Sequence, residues 1–429
     1  MGPPRNRSSD ASLAHAKRNP IPGVVFQNAK GVRGIVIEAA SPGRKARARM
    51  SCSVPGCAEE HERVSSDWHQ CHRCLSHSVG GRASRKRPNV ELPVFLRGLP
   101  LSCPPSMILH ADWGTRARKR WAVRATLRDG TYSASAPHVV DAPTRLLDEA
   151  VALAEGGGCA LLGFDFAFGA PAAFSIAHEG IHFLSLIAKA EATFFDAALN
   201  IDQVGPLRPF LRTASRGDKL SDFLSKIGMT TGSKLRRCEE RTGYRPDAKC
   251  IFWPGAGQVA GATRSGWREL LRPALSSPAR TRGVIRIWPF DGDLNDIVRP
   301  GAVVLAETYP AEFYPHLRMR GNAKTNLAWR IAQSGHLLAA ARETGIHLDQ
   351  ELVSQIRAGF EERNCGEDRF DATAGLLGMV RAVVGLSPTN APADAAIREH
   401  EGWILGRPTH GPGLEGPTTM AESETIVLT

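Results

Sequence analysis

The chain has 429 residues, 42% of them hydrophobic and 23% charged, and a formal net charge of +11. That length supports one large or two ordinary domains, and the composition is globular, which excludes a fibre or a wholly disordered chain. The charge gives the bulk of the chain no argument for an anionic partner: residues 1–106 carry 17 basic and 7 acidic side chains, the remainder 37 and 36.

Residues 1–106 are rich in Ser, Arg, Pro and Gly, with short apolar pieces at 34–40 and 94–96. They read as a poorly structured, low-complexity basic extension. Within it, Cys52, Cys57, Cys71 and Cys74 have a spacing that four-thiolate Zn2+ sites use, although coincidence in a weakly patterned segment is the favoured reading. Met107 is itself a candidate start, which would make the extension a mis-assigned one. Nine cysteines and no secretory leader predict reduced thiols and a cytoplasmic protein. The most apolar window, 158–177, carries Asp165 near its middle, at a cost of about 2.5–3.5 kcal/mol in a bilayer, so no membrane span is expected.

From Met107 the pattern is regular. Residues 107–111 and 121–127 form a predicted hairpin, the second run alternating Val123, Ala125 and Leu127 with Arg124, Thr126 and Arg128. A third strand is expected over 131–135 and a helix over 144–155, opened by Pro143 and stopped by Gly156. Residues 159–166 read as a strand buried on both faces. Helices are expected over 173–200, 218–224 and 265–275, the last with Trp267, Leu270 and Leu271 on one face. The stretch 232–259 reads as loop and holds Lys234, Arg236, Arg237, Arg241, Arg245 and Lys249. Strands follow at 284–288 and 302–308, then helices at 322–344, 352–362 and 367–384. A closing element is expected over 394–404 and a flexible tail over 406–429. Strands and helices interleave as in a mixed α/β sheet flanked by helices.

Four acids or acid pairs hold telling places. Asp112 ends the first strand, Asp165 ends the buried strand, Glu307 ends a later strand, and Asp368 and Asp371 open the last strong helix. Asp368, Asp371, Gly375 and Gly378 share one stripe of that helix, where two glycines allow close approach to the sheet. Each acid alone has a structural explanation, as a turn cap, a salt bridge or a partner of the helix dipole. Converging together, they would repel unless protonated or met by a cation, and hard oxygen ligands suit Mg2+ or Mn2+. A two-ion site of this kind hydrolyses phosphodiesters. Arg118, Lys119 and Arg120, beside Asp112, are candidate phosphate contacts on a nucleic-acid partner.

The motifs His110-Ala-Asp112-Trp-Gly, Gly163-Phe-Asp165-Phe-Ala-Phe-Gly169-Ala-Pro171, Glu307-Thr-Tyr-Pro310, Glu367-Asp368-Arg-Phe-Asp371-Ala372 and Glu401-Gly-Trp403-Ile resemble, in order, a bacterial family of unknown function described as predicted RNase H-like nucleases. The resemblance covers 107–405, with a long, poorly matching insertion around 173–300. The family's usual Asp-Asp pair is Glu367-Asp368 in this chain. The resemblance implies an RNase H-like mixed five-stranded sheet, with acids on the first strand, the fourth strand and the last helix. Asp112, Asp165, Asp368 and Asp371 would then be catalytic metal ligands and Glu307 an accessory catalytic acid. Two competitors stand beside the nuclease. Asp112-Trp-Gly-Thr115 also resembles the first phosphate loop of actin-like ATPases and sugar kinases, and the chain could be a catalytically silent binding module.

Overall fold

The computed structural model describes residues 98–242, 244–254, 259–361 and 365–409, and six short strands between Val25 and Val79. The chain divides into two units, Met1–Glu91 and Leu92–Thr429. In the first, Val25–Gln27, Arg33–Glu38, Arg47–Ser51 and Glu60–Arg63 form an antiparallel sheet in chain order, and His69–Gln70 pairs with Ser78–Val79. A poorly structured extension was the sequence expectation; the strands sit on pieces such as Gly34–Glu38, too short to carry a period. Cys52, Cys57, Cys71 and Cys74 lie outside the described residues. The boundary also falls before Met107. Leu101 is buried and its N–H donates to the Val383 carbonyl, stitching the preceding segment to the end of the last helix.

In the second unit β1 (Met107–Asp112) and β2 (Trp121–Arg128) form the expected hairpin, and β3 (Thr131–Ala134) and β4 (His138–Val139) both pair with β2. After α1 (Pro143–Glu155) come β5 (Ala160–Phe164), β6 (Ile285–Ile287) and β7 (Val303–Glu307). They are followed by α2 (Pro310–His316), α3 (Leu327–Thr344), β8 (His347–Leu348) and α4 (Gly366–Val383). The sheet order is β6-β7-β5-β1-β2-β3-β8, with β4 joined to β2, so the sheet has eight strands where five were expected. Beyond the five, β6 is the strand read at 284–288, while β4 and β8 are two-residue strands, below the length at which alternation is readable. β6, β7, β5 and β1 run parallel; β2 is antiparallel to β1 and β3.

The pleat sorts side chains onto two faces. Leu109, Ala111, Leu162, Phe164 and Leu305 face α1 and the insertion; Ile108, Leu161, Val304 and Ala306 face α2, α3 and α4. The insertion departs from expectation. Its first helix breaks into Ala172–Ile176 and Phe183–Lys189, because Glu179 and Gly180 both take left-handed backbone (φ 58° and 70°). Trp267 is fully buried among Phe183, Phe194, Phe210 and Phe252, and its indole donates to the Ala167 carbonyl at 2.6 Å.

α4 is buried nearly all round, as a helix sandwiched between layers must be. Its two glycines face different neighbours. A Cβ on Gly375 would stand 2.2 Å from the His110 ring on β1, and one on Gly378 would stand 2.1 Å from Phe313 on α2. Only Gly375 therefore serves the approach to the sheet.

Two measurements follow from this packing. Gly375→Ala should destabilise the protein by about 1–3 kcal/mol in urea unfolding, since the overpacked site is rigid. Gly335→Ala, in α3 with open space at the Cβ, should be neutral or stabilising by up to about 1 kcal/mol; equal effects would contradict the packing. Burial holds the His316 imidazole on α2 down at about 4, so the unfolded chain takes up its proton first as pH falls. Its stabilising contribution is complete above about pH 6.5 and is lost toward pH 4. His316→Gln should therefore lose less stability than the parent in thermal melts between pH 7 and 4.

Candidate active site

The site is built from register. Gly163 pairs with His110 and Phe164 with Ala111, and the Asp165 N–H continues the ladder by donating to the Ala111 carbonyl at 3.0 Å. That places Asp165 beside Asp112 on the face covered by α4. In-register neighbours on parallel strands point the same way. Asp371, in the second turn of α4, meets them from above; it is 1% exposed and Asp112 8%. His110 helps to set that height, since its Nδ1 pairs with the Ala372 carbonyl at 3.1 Å while Gly375 lies over its ring.

Buried carboxylates this close need compensation. Burial, joined by Asp371, Asp165 and Asp368, pushes the Asp112 carboxyl well above its ordinary range against the pull of Lys324. Burial likewise raises Asp165 to about 7, opposed by Lys324 and by a hydrogen bond with Asp112. A hydrogen bond between two carboxyl groups requires one proton on the pair. Asp371 accepts from the Tyr314 hydroxyl on one oxygen and from the Lys324 ammonium on the other. Burial alone would lower the Lys324 pKa, but Asp371, Asp112 and Asp165 together raise it well above the ordinary value. One ammonium and one proton thus offset two of three negative charges.

Asp368 sits one turn earlier at the rim and accepts from Lys119 at 3.0 Å, with Glu367 3.8 Å from the same amine. Arg118 is exposed beside it. Arg120 is not a phosphate contact as it stands: it is buried, pairs with Glu269 at 2.7 Å, donates to the Gly114 and Thr115 carbonyls, and lies 4.6 Å over the Trp113 ring. Part of the basic run in the 232–259 loop is committed as well. Arg236 and Arg245 are buried, and Arg237 pairs with Asp394 at 2.6 Å.

Glu307 stands apart from the three aspartates. It pairs with Phe164 in register, so it points to the opposite face of the sheet. There Arg236 grips both its oxygens at 2.6 Å and the Phe168 N–H donates to it at 2.7 Å. An accessory acid was the expectation; a sealed ion pair is the observation. The Glu401-Gly-Trp motif is architectural too. Gly402 crosses the Phe168 carbonyl where a Cβ would approach to 2.0 Å, and Gly169 crosses Glu401 likewise. Glu401 itself accepts from the N–H groups of Ala172 and Arg237.

Lys324 and Tyr314 are not singled out by the sequence, and Arg236 is visible there only as one member of a basic run. Lys324 was assigned to a helix over 322–344, but α3 begins at Leu327, where the Asn326 side chain caps Trp329 N–H. Asn326 as a cap was the available signal. Among the described residues, no group of three or more His, Cys, Asp or Glu stands in metal-holding geometry. No helix among them is long and apolar enough to cross a membrane. Neither family models, curated proteins nor solved structures give a match to the chain.

Breaking the sealed pair should separate stability from the aspartate site. Arg236→Met leaves Glu307 and Glu239 buried without their cation and should cost about 3–5 kcal/mol in urea unfolding. A loss under about 1 kcal/mol, the range of an exposed pair, would show that Arg236 is not the cation Glu307 depends on.

Proposed function

We propose that the second unit is an RNase H-like, metal-dependent nuclease that hydrolyses phosphodiesters of nucleic acid. The observation that carries this reading is the gathering of Asp112, Asp165 and Asp371 from the first strand, the fourth long strand and the last helix, with the Lys324 ammonium paired to Asp371. The order β3-β2-β1-β5-β7, with β1, β5 and β7 parallel, supports the five-stranded arrangement that the resemblance implies.

The fit to Mg2+ or Mn2+ rests on donor chemistry: three hard carboxyl groups at the mouth of a sheet, one of them already paired with the Lys324 ammonium. Asp112, Asp165 and Asp371 would hold the ion and Asp368 would border it. A bound divalent ion would supply an activated water and charge stabilisation at the phosphorus. The chain's own groups do the rest. Tyr314 orients Asp371, the Asp112–Asp165 pair holds a proton beside it, and Arg118 and Lys119 stand at the rim for backbone phosphates.

A catalytically silent nucleic-acid binding module is favoured by one observation, the ammonium already lodged in the cluster. The actin-like reading has less support, since the Gly114 and Thr115 carbonyls turn to Arg120.

The discriminating assay incubates the full chain with labelled single- and double-stranded DNA and RNA in Mn2+. Cleavage is expected, with Asp112→Asn and Asp371→Asn both reduced to background while remaining folded by circular dichroism. Cleavage that survives both substitutions contradicts the proposal, and so does a parent protein that cuts none of the four substrates.

A further inference from the structure

Lys324 lies in the connection between α2 and α3 and differs from the other cations that meet buried acids in this unit. Arg236 and Arg245 are sealed, with 1% and 5% of the side chain exposed; Lys324 keeps 37%. Arg236 holds Glu307 through a planar fork at two short contacts, whereas Lys324 reaches the acids as a point charge on a flexible stem. Its backbone is fixed from the other side. The Arg330 guanidinium donates to the Lys324 carbonyl and, at 2.7 Å, to the Gly359 carbonyl, and the Asn326 N–H closes a turn to Ala323 at 2.8 Å. The head group can therefore leave for solvent by rotating its own stem, with the backbone in place. Residues 321–323, 325 and 326 are exposed around it, so nothing packed has to move.

We infer that Lys324 is a built-in counter-cation that occupies the divalent-ion position of the Asp112–Asp165–Asp371 cup and must withdraw before metal loads. This rests on the metal-site reading proposed above and adds a regulation to it: the lysine sets the threshold of metal concentration at which the site fills. Without metal, the ammonium keeps the two buried acids Asp112 and Asp371, and Asp165 beside them, tolerable. With metal, the two cations compete for the same oxygens. The arrangement holds the empty site folded while raising the metal concentration needed to fill it.

The test is calorimetric titration of Mn2+ into the full chain and into Lys324→Met and Lys324→Arg. Removing a cation in contact with the ligands should tighten Mn2+ binding about tenfold or more in Lys324→Met, while Lys324→Arg should bind no tighter than the parent. A second measurement uses the unsubstituted protein and so does not depend on any variant folding. Amine-selective labelling read by mass spectrometry should rise at Lys324 when Mn2+ is added. Equal or weaker binding by Lys324→Met overturns the inference and leaves the metal site standing. Unchanged labelling at Lys324 in protein that binds Mn2+ does the same. Absence of Mn2+ binding in parent and both variants overturns the inference and the metal-site reading together.

Discussion

The second unit is organised by the need to neutralise carboxyl groups that the sheet register buries at the strand ends. β1 against β5 fixes Asp165 beside Asp112, and α4 lowers Asp371 onto them. An uncompensated buried charge costs several kcal/mol, comparable to the whole stability of a domain. The surrounding chemistry answers that constraint: a shared proton, the Tyr314 hydroxyl and the Lys324 ammonium. Gly375 is part of the same solution, because a larger residue would lift α4 off His110 and carry Asp371 away.

The two faces of the sheet solve the same problem differently. Behind the sheet, Glu307 is locked by Arg236; on the α4 side, away from the aspartates, Glu312 on α2 is met by Arg245 at 2.9 Å and Tyr244 at 2.5 Å. Both acids accept from buried guanidinium groups and are closed to solvent, which suits a structural role. In front, the cation is a lysine with a part-exposed side chain, and Asp112 and Asp165 share a proton instead of being gripped by fixed donors. An exchangeable cation is what a loading site needs. The motifs divide along the same line. Asp112, Asp165 and the Asp368–Asp371 turn belong to the front, while Glu307 and Glu401-Gly-Trp403 brace the loop after β5 from behind.

Most of the architecture was legible because its elements carry full periods. The β1–β2 hairpin, α1, the buried strand β5 and α4 all lie within a few residues of their sequence expectation. The edge strand β6 was read at 284–288, but β4 and β8 were not legible, since two-residue strands have no period and owe their existence to neighbours. Asp112, Asp165 and Asp371 could be singled out as acids at element ends. Their partner could not, because Lys324 is one cation in a connection and only the fold brings it to the acids. Glu307 was misjudged for a related reason: its position at a strand end was readable, but its face depends on a one-residue register with Phe164. The burial of Arg236 and Arg245 was not legible, because a basic run in a loop does not announce which of its members are buried.

The most direct test of the central claim is anomalous diffraction from crystals of the full chain soaked in Mn2+. A peak bounded by the carboxyl oxygens of Asp112, Asp165 and Asp371, with the Lys324 side chain turned outward, is the expected result. A map with no peak there, and the ammonium still seated on Asp371 at saturating Mn2+, would contradict it.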